Sequence, residues 1–150
     1  MQLTQKEANL LKDLKDQEKL CIDKYNKYAS SASDQQLGQL FRKLSEVEQS
    51  HLKILDDIGE GKTPQFGGAS SPSMTFTATY GPAETEQKKN DCYLCTDTLT
   101  MEKHASHLYD TCVFEFKNEA LRTALNKIQA QEQEHGKLIY DYMSQNGMYC

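Results

Sequence analysis

The sequence predicts an all-α protein, an antiparallel four-helix bundle with a long crossover between its second and third helices. Apolar residues recur at helical spacing in both halves of the chain, as expected for helices with one buried face. The middle, residues 61–90, contains all three prolines and four of the eight glycines, which is typical of a connection. The two helical halves also resemble each other, which predicts two copies of one helical hairpin.

The spacing places the four helices at about 4–30, 34–58, 91–116 and 119–145. Alternating steps of three and four residues mark one face of each of the first two helices: Leu11, Leu14, Glu18, Cys21, Tyr25 and Tyr28, then Leu37, Phe41, Leu44, Glu48, His51, Leu55 and Ile58. Helix ends are predicted by N-terminal capping residues and C-terminal glycines: capping boxes at Thr4–Glu7 and Ser33–Gln36, a cap at Asn118, and stops at Gly59 and Gly147. The segment MTFTATY, residues 74–80, alternates weakly and could be a short extended stretch.

The internal repeat appears when the first half is shifted by 84 residues without gaps. Residues 18–58 then align with 102–142, with ten identities in 41 pairs. The identical pairs are Glu18/Glu102, Lys19/Lys103, Tyr25/Tyr109, Leu37/Leu121, Lys43/Lys127, Glu48/Glu132, Gln49/Gln133, His51/His135, Lys53/Lys137 and Asp57/Asp141. We therefore expect a single domain over 1–150, in which hairpins 4–58 and 91–145 are related by a pseudo-twofold axis.

Composition excludes several function classes. The net charge is −5 and no basic cluster occurs, which argues against a nucleic-acid surface. No run of 18 apolar residues is present, so no membrane span is expected. The N-terminus lacks the apolar region of a signal peptide, and the five cysteines are an odd number, so we expect synthesis in the cytoplasm and mostly reduced thiols.

The motif Glu-Gln-x-His occurs twice, at Glu48–His51 and at Glu132–His135. Residues three apart share one helix face, so each Glu and His point the same way, toward the predicted core. With Glu18 and Glu102 on the inward faces of their helices, the bundle would bury four carboxylates and two imidazoles. Unpaired charges are expensive to bury, and two divalent cations would neutralise the four carboxylates. The oxygen and nitrogen donors favour Fe or Mn, with Zn possible in a purified sample. Solvated helix residues are the alternative reading, and the matched register argues against it.

These six residues resemble the ligand set of the ferritin-like superfamily, which includes ferritins, bacterioferritins and rubrerythrins. The resemblance covers the chain except 61–90. It implies that Glu48 and Glu132 bridge two metals, that Glu18 and His51 complete one site, and that Glu102 and His135 complete the other: a ligand set of Glu18, Glu48, His51, Glu102, Glu132 and His135. It also implies that Tyr25 and Tyr109 hydrogen-bond ligand carboxylates, whereas ordinary core packing is an equal alternative.

Two departures from rubrerythrins limit that resemblance. Their further glutamate one turn after the third-helix ligand is replaced by Ala105, with Cys21 at the equivalent position of the first half. Only one C-x-x-C pair, Cys92 and Cys95, is present, so no rubredoxin is appended and an electron donor would be a separate protein. A ferritin cage is not expected either, since the sequence ends with the fourth helix.

Residues 95–116 and 120–149 are similar to the spore coat protein F family of spore-forming Firmicutes. This resemblance implies assembly into a spore coat, with other coat proteins or a second copy of the chain, as a homodimer, for partners. Three functions follow: a di-iron or di-manganese oxidoreductase acting on peroxide or O₂, a structural coat component whose metal site is a staple or vestigial, and, less well supported, metal storage.

The cysteines allow two interpretations. Cys92 and Cys95 could form a redox disulfide near a helix start, although Cys95 fits a small core residue better. Cys21 and Cys112 fit the buried stripes. Cys150 could cross-link coat proteins. His104 and His107 have no matched partner in the first half and are expected at the surface or in packing.

Overall fold

The computed structural model describes residues 2–67 and 70–149. Over these residues the chain forms four helices, α1 (Gln5–Ser31), α2 (Gln35–Gly59), α3 (Glu86–Glu115) and α4 (Glu119–Gln145). No strand occurs in the described ranges, which confirms the all-helical prediction. Residues 74–80, the weakly alternating segment, are irregular rather than a paired strand.

Two of the predicted helix starts are confirmed by their hydrogen bonds. The Thr4 hydroxyl accepts from the Glu7 amide at 3.2 Å, and the Glu7 carboxylate accepts from the Thr4 amide at 2.7 Å, which is the predicted capping box. The Asn118 side chain accepts from the Leu121 amide at 3.1 Å. These caps satisfy amide groups that have no partner inside the helix.

The other two starts differ from the prediction. Asp34, not Ser33, caps α2, because its carboxylate accepts from the Gln36 amide at 3.0 Å. Helix α3 begins at Glu86 rather than 91, so the connection is shorter than 61–90. The Thr85 side chain caps it, and the polar residues 86–90 gave no apolar period from which to predict that first turn.

The helix ends depend on two glycines with positive φ. Gly147 follows the C-cap of α4 and has φ of 63°, as its predicted role as a stop requires. At the end of α2, Gly59 is still helical, and Gly61 adopts the left-handed conformation with φ of 77°. The left-handed glycine after α2 is therefore Gly61, two residues beyond the predicted Gly59, and the helix itself ends one residue later than predicted.

The helices pack antiparallel, both within and between the hairpins. Residues 32–34 join α1 to α2 and residues 116–118 join α3 to α4, and such short loops reverse the chain direction. Between the hairpins, Tyr25 contacts Glu102 while Glu18 contacts Tyr109, so α1 and α3 run in opposite directions. Each end of the bundle therefore combines helix ends from both hairpins.

Buried acids tie each hairpin to the loop of the other. The Glu7 carboxylate in α1 accepts from the Lys117 amide at 2.9 Å. The Asp91 carboxylate in α3 accepts from the amides of Ser33 and Asp34, both at 2.8 Å. Glu7 and Asp91 are 84 residues apart, as are Ser33 and Lys117, so the internal repeat extends to these contacts.

The connection from residue 60 to residue 85 runs from the end of α2 to the start of α3, which lie at opposite ends of the bundle. Its described part is anchored near α4: the Phe76 ring packs edge-on against Tyr142 at 5.5 Å. The Asn146 side-chain oxygen accepts from the Thr79 and Tyr80 amides at 2.8 and 3.1 Å. No helix in the described ranges is long and apolar enough to cross a membrane.

The core consists of two apolar clusters. One cluster contains Cys21, Tyr25, Phe41 and Leu44 with Leu94, Leu99 and Tyr142, among others. The other contains Leu11, Leu14, Leu55 and Ile58 with Tyr109, Leu125 and Ile128, among others. On every helix a position between the two clusters is occupied by a buried acid, so a polar layer separates them.

Candidate metal centre

The structure brings all six predicted ligands into this polar layer. Each helix contributes from its inward face, and none of the six side chains is more than 2% exposed. The contributors are Glu18 from α1, Glu48 and His51 from α2, Glu102 from α3, and Glu132 and His135 from α4. The three-residue spacing of each Glu-x-x-His places both side chains on one helix face, as the pattern predicts.

The His51 ring faces carboxylates from three helices through its Nδ1 atom. That atom lies 2.9 Å from Glu132 Oε1, 3.3 Å from Glu48 Oε2 and 3.8 Å from Glu18 Oε2. The nearest partner is on α4, so the contact spans the two hairpins. The imidazole nitrogen that points into the cluster is therefore Nδ1.

His135 repeats this arrangement from the other hairpin. Its Nδ1 lies 2.8 Å from Glu48 Oε1, 3.4 Å from Glu102 Oε1 and 3.8 Å from Glu132 Oε2. The two imidazole rings stack with centroids 5.9 Å apart and an angle of 15° between their planes. The local geometry thus follows the pseudo-twofold relation of the sequence.

The donor atoms fall into two overlapping groups, each able to hold one cation. Within each group one donor atom per residue lies within 4.8 Å of the others: Glu18, Glu48, His51 and Glu132 in the first, and Glu48, Glu102, Glu132 and His135 in the second. Glu48 and Glu132 belong to both groups. A shared carboxylate has two oxygens, so it can contact two ions at once.

Tyrosine hydroxyls orient the unshared glutamates. Tyr25 of α1 donates to Glu102 Oε1, and Tyr109 of α3 donates to Glu18 Oε1 at 2.6 Å. Both rings are fully buried. Each tyrosine therefore positions a carboxylate of the opposite hairpin and leaves the other oxygen of that carboxylate to the cluster.

The hydrogen bonds of the protein alone do not satisfy this cluster. Buried atoms without a partner in the described part of the chain include Glu18 Oε2, Glu102 Oε2 and Glu132 Oε2. Burying an acceptor without a partner is unfavourable, and buried charges are normally paired or bound to metal. Oxygen and imidazole donors suit Fe, Mn and Zn, so the residues present fit a pair of such ions.

The pKa values of the shared carboxyls reflect their crowding. Burial, followed by the charges of Glu18 and Glu102, raises the pKa of Glu48 well above its usual value. Burial and the charges of Glu102, Glu48 and Glu18 do the same for the pKa of Glu132. The crowding of like charges therefore favours the neutral form of both carboxyls.

The two unshared glutamates and the two histidines favour their charged forms instead. Burial disfavours the charged form of each unshared glutamate, but the neighbouring shared carboxyl and imidazole outweigh it, Glu48 and His51 beside Glu18 and Glu132 and His135 beside Glu102, so both pKa values are lowered. Neighbouring carboxylates also outweigh burial to raise the pKa of His51 and of His135. The unshared glutamates and the two imidazoles therefore each favour the charged form.

The surroundings of the two histidines are not symmetric. His51 Nε2, the ring nitrogen that faces away from the cluster, lies 2.6 Å from the side-chain oxygen of Gln131. His135 Nε2 is buried and has no partner in the described ranges. The position 84 residues before Gln131 is Val47, whose side chain cannot accept a hydrogen bond. Only one histidine therefore has its tautomer fixed by a neighbouring residue.

Gln131 was missed in the sequence, as were the clamps Glu7 and Asp91. Gln131 precedes His135 by four residues and so lies on the inward side of α4, which was a usable signal. Glu7 and Asp91 obey the 84-residue shift, but Glu7 precedes the aligned range 18–58 and Asp91 precedes its counterpart, 102–142. Extending the alignment toward the N-terminus would have paired them.

The cysteines and remaining histidines lie outside the cluster. Cys21, Cys95 and Cys112 are buried free thiols, in agreement with their predicted packing role, and Cys92 is a free, partly buried thiol rather than part of a disulfide. His104 and His107 are exposed. Cys150, the predicted cross-linking residue, lies outside the described residues.

The fold and the cluster define an all-helical bundle with a buried carboxylate–imidazole centre. Residues 90–149, nearly all of α3 and the whole of α4, match the family model of the Coat F domain. This match includes Glu102, Glu132 and His135 but none of the first-hairpin residues.

A second similarity is to a bacterial protein. Over 68 residues the chain is 32% identical to the uncharacterized protein YusN of Bacillus subtilis (strain 168). The aligned part is 45% of this chain and 62% of YusN, so less than two thirds of that relative is spanned. No solved structure matches the chain.

Proposed function

We propose that this protein binds two divalent cations, Fe or Mn, and uses them in a redox reaction with peroxide or O₂. The single observation that supports this most directly is the cluster of four buried carboxylates and two imidazoles, with three carboxylate oxygens left without a partner among the described residues. We assign Glu18, Glu48, His51 and Glu132 to one ion and Glu48, Glu102, Glu132 and His135 to the other. Such ions, when bound, would transfer electrons to peroxide or O₂.

The chain's own residues bind, orient and shield. Glu48 and Glu132 would contact both ions, and the hydroxyls of Tyr25 and Tyr109 hold Glu102 and Glu18 in place. The two apolar clusters lie on either side of the polar layer and cover it along the bundle axis. Because the ligands come from all four helices, we also propose that hairpins 4–58 and 91–145 act as one domain.

We further propose association with the bacterial spore coat, because residues 90–149 match the Coat F domain. Other coat proteins or a second copy of the chain are the proposed partners. A redox reaction would need electrons from a separate donor protein, because the C-x-x-C pair of this chain, Cys92 and Cys95, lies outside the cluster.

A structural coat role is the second candidate, and the Coat F match favours it. Here the metal pair would only stabilise the bundle, or the ligand residues would be retained without metal. The two candidates share one fold and differ in turnover. They are separated by the reaction of the metal-loaded protein with peroxide.

The first experiment is elemental analysis of untagged protein, followed by reloading with Fe(II) or Mn(II) without oxygen. We expect about two equivalents per chain, one for each donor group. A His135→Ala variant should bind fewer ions, with Ala130→Leu on the exposed side of α4 as the matched control. Less than about a tenth of an equivalent in the reloaded wild type would contradict metal binding and leave the structural role.

Peroxide consumption is measured next on the loaded protein. Consumption that disappears in the His135→Ala variant supports the redox role. Two bound equivalents without consumption, with a range of electron donors supplied, would favour the structural role. Zn in the purified protein, replaced by Fe or Mn on reloading, would be compatible with either.

A further inference from the structure

A groove between α3 and α4 reaches two residues of the candidate metal centre. Its volume is about 480 Å³, and its lining includes Glu102 and Glu132 together with Ser106, His107 and Gly136. Both glutamates are almost completely buried and carry an oxygen without a partner in the described ranges. The groove therefore runs from the surface to the edge of the candidate metal centre, where the carboxylate oxygens themselves remain covered.

The groove depends on small side chains that are absent from the other hairpin. Gly136 and Ser106 correspond, under the 84-residue shift, to Leu52 and Ile22. Those two residues are half-buried on α2 and α1. The side chains of leucine and isoleucine occupy volume that glycine and serine leave open, so the repeat predicts an opening on one side of the pair only.

Gly136 is not required by the backbone. It lies within α4, its φ is not positive, and a Cβ placed there would meet only the Leu99 side chain, at 3.5 Å, an ordinary contact. Glycine in the interior of a helix lowers the stability of that helix by about 1 kcal/mol relative to leucine. A helical glycine with room for a larger side chain is explained by the open space that it maintains.

The mouth of the groove is polar and carries both signs of charge. Lys103, His107 and Asp110 line it, and the Gln129 side chain donates to the Ser106 carbonyl at 2.9 Å. A groove of this volume is wide enough for ligands up to the size of a small organic molecule, so peroxide and O₂ enter it without steric hindrance.

We propose that this groove is the path by which peroxide-sized ligands reach the metal pair, from the α3–α4 side alone. The inference rests on the proposed function and adds the route by which its small substrate reaches the site: one side of the bundle, between α3 and α4. Gly136 and Ser106 act by leaving space, and neither is a catalytic residue.

Azide binding to the cobalt-loaded protein tests this path. Azide has nearly the size of peroxide, and Co(II) reports ligand binding through its visible absorption. The variant is Gly136→Leu, which places the Leu52 side chain in the equivalent position of the second hairpin. Ala130→Leu is the control, because it adds the same side chain to α4 at an exposed position outside the groove lining.

We expect wild type and Ala130→Leu to bind two Co(II) ions and azide alike. Gly136→Leu should also bind two Co(II) ions after long incubation and remain as stable as wild type, but azide should bind about tenfold more slowly or more weakly because the path is filled. Ser106→Ile, which copies Ile22, should act in the same direction and serves if Gly136→Leu does not fold.

Each other outcome overturns a defined statement. The proposed path is overturned if azide binds to both cobalt-loaded variants, Gly136→Leu and Ser106→Ile, at the wild-type rate and with the wild-type affinity. A wild-type cobalt spectrum that azide does not change overturns it as well. Wild type that takes up no Co(II) overturns the proposed function itself, and the path with it, so the two failures are distinguishable.

Discussion

The two hairpins are alike at the candidate metal centre and differ in the layer around it. The polar residues of the cluster are identical in both: a glutamate and a tyrosine on the first helix and a Glu-x-x-His on the second. Around them, Gln131 corresponds to Val47, Gly136 to Leu52 and Ser106 to Ile22. The ligand positions agree because both hairpins meet the same cluster. The surrounding residues are free to diverge, and they give the two sides different hydrogen bonding and access.

The largest effect should separate shared from unshared carboxylates. Glu48 belongs to both donor groups, whereas Glu18 belongs to one. We expect Glu48→Ala to abolish binding of both ions, and Glu18→Ala to leave about one ion per chain because the second group stays intact. Elemental analysis of the loaded variants measures this, with Glu102→Ala as the symmetric counterpart of Glu18→Ala. Equal losses in all three variants would show that the two sites do not share ligands as assigned.

The next effect concerns the one hydrogen bond that the hairpins do not share. His51 Nε2 contacts Gln131, and removal of such a supporting contact typically lowers metal affinity by about 10–100-fold. We expect Gln131→Leu to lower the affinity for one of the two ions by this factor and to leave the affinity for the other unchanged. Titration calorimetry with Mn(II) resolves the two affinities. Val47→Gln is the reciprocal variant, designed to offer His135 an equivalent partner.

Two equal wild-type affinities that both survive Gln131→Leu would show that this contact does not tune the centre. A variant that weakens both ions alike would mean that the carboxylates shared by the sites transmit the change. A change confined to one ion would assign that ion to the His51 side of the pair.

The smallest effect concerns the loop clamps. Backbone amides of Lys117 and Thr4 lower the pKa of Glu7 below its usual value near 4.5. A group whose pKa is lower in the folded state stabilises the protein above its unfolded pKa, and this contribution is lost as the pH falls through the folded value. We expect Glu7→Gln to reduce the free energy of unfolding by about 1–2 kcal/mol at pH 7 and by less at pH 3.

Denaturant unfolding of the metal-free protein at both pH values measures this difference. Asp91→Asn is the matched variant, since Asp91 holds the other loop through two amides. A Glu7→Gln effect that is the same at pH 3 and pH 7 would show that the charge of the clamp is irrelevant.

Most of the helix positions and the inward placement of all six candidate ligands could be predicted from the sequence. The apolar period located α1, α2 and α4 to within a residue or two, because an amphipathic face is a property of one helix. The first turn of α3 was missed because residues 86–90 are polar throughout and carry no period. Ser33 was mistaken for the cap of α2 because the neighbouring Asp34 has an equally suitable side chain, and only the backbone path decides between them.

By itself, the sequence determined which side chains face inward. A period of 3.6 residues fixes the face of each residue, and the 84-residue repeat makes the two sets of ligands equivalent. Only the tertiary structure decided what lies across from each residue: Nδ1 of each histidine toward the carboxylates, Gln131 beside His51 alone, and the open groove beside Gly136. These features depend on the register between antiparallel helices and on the volumes of side chains from different elements, neither of which a pattern along one helix contains.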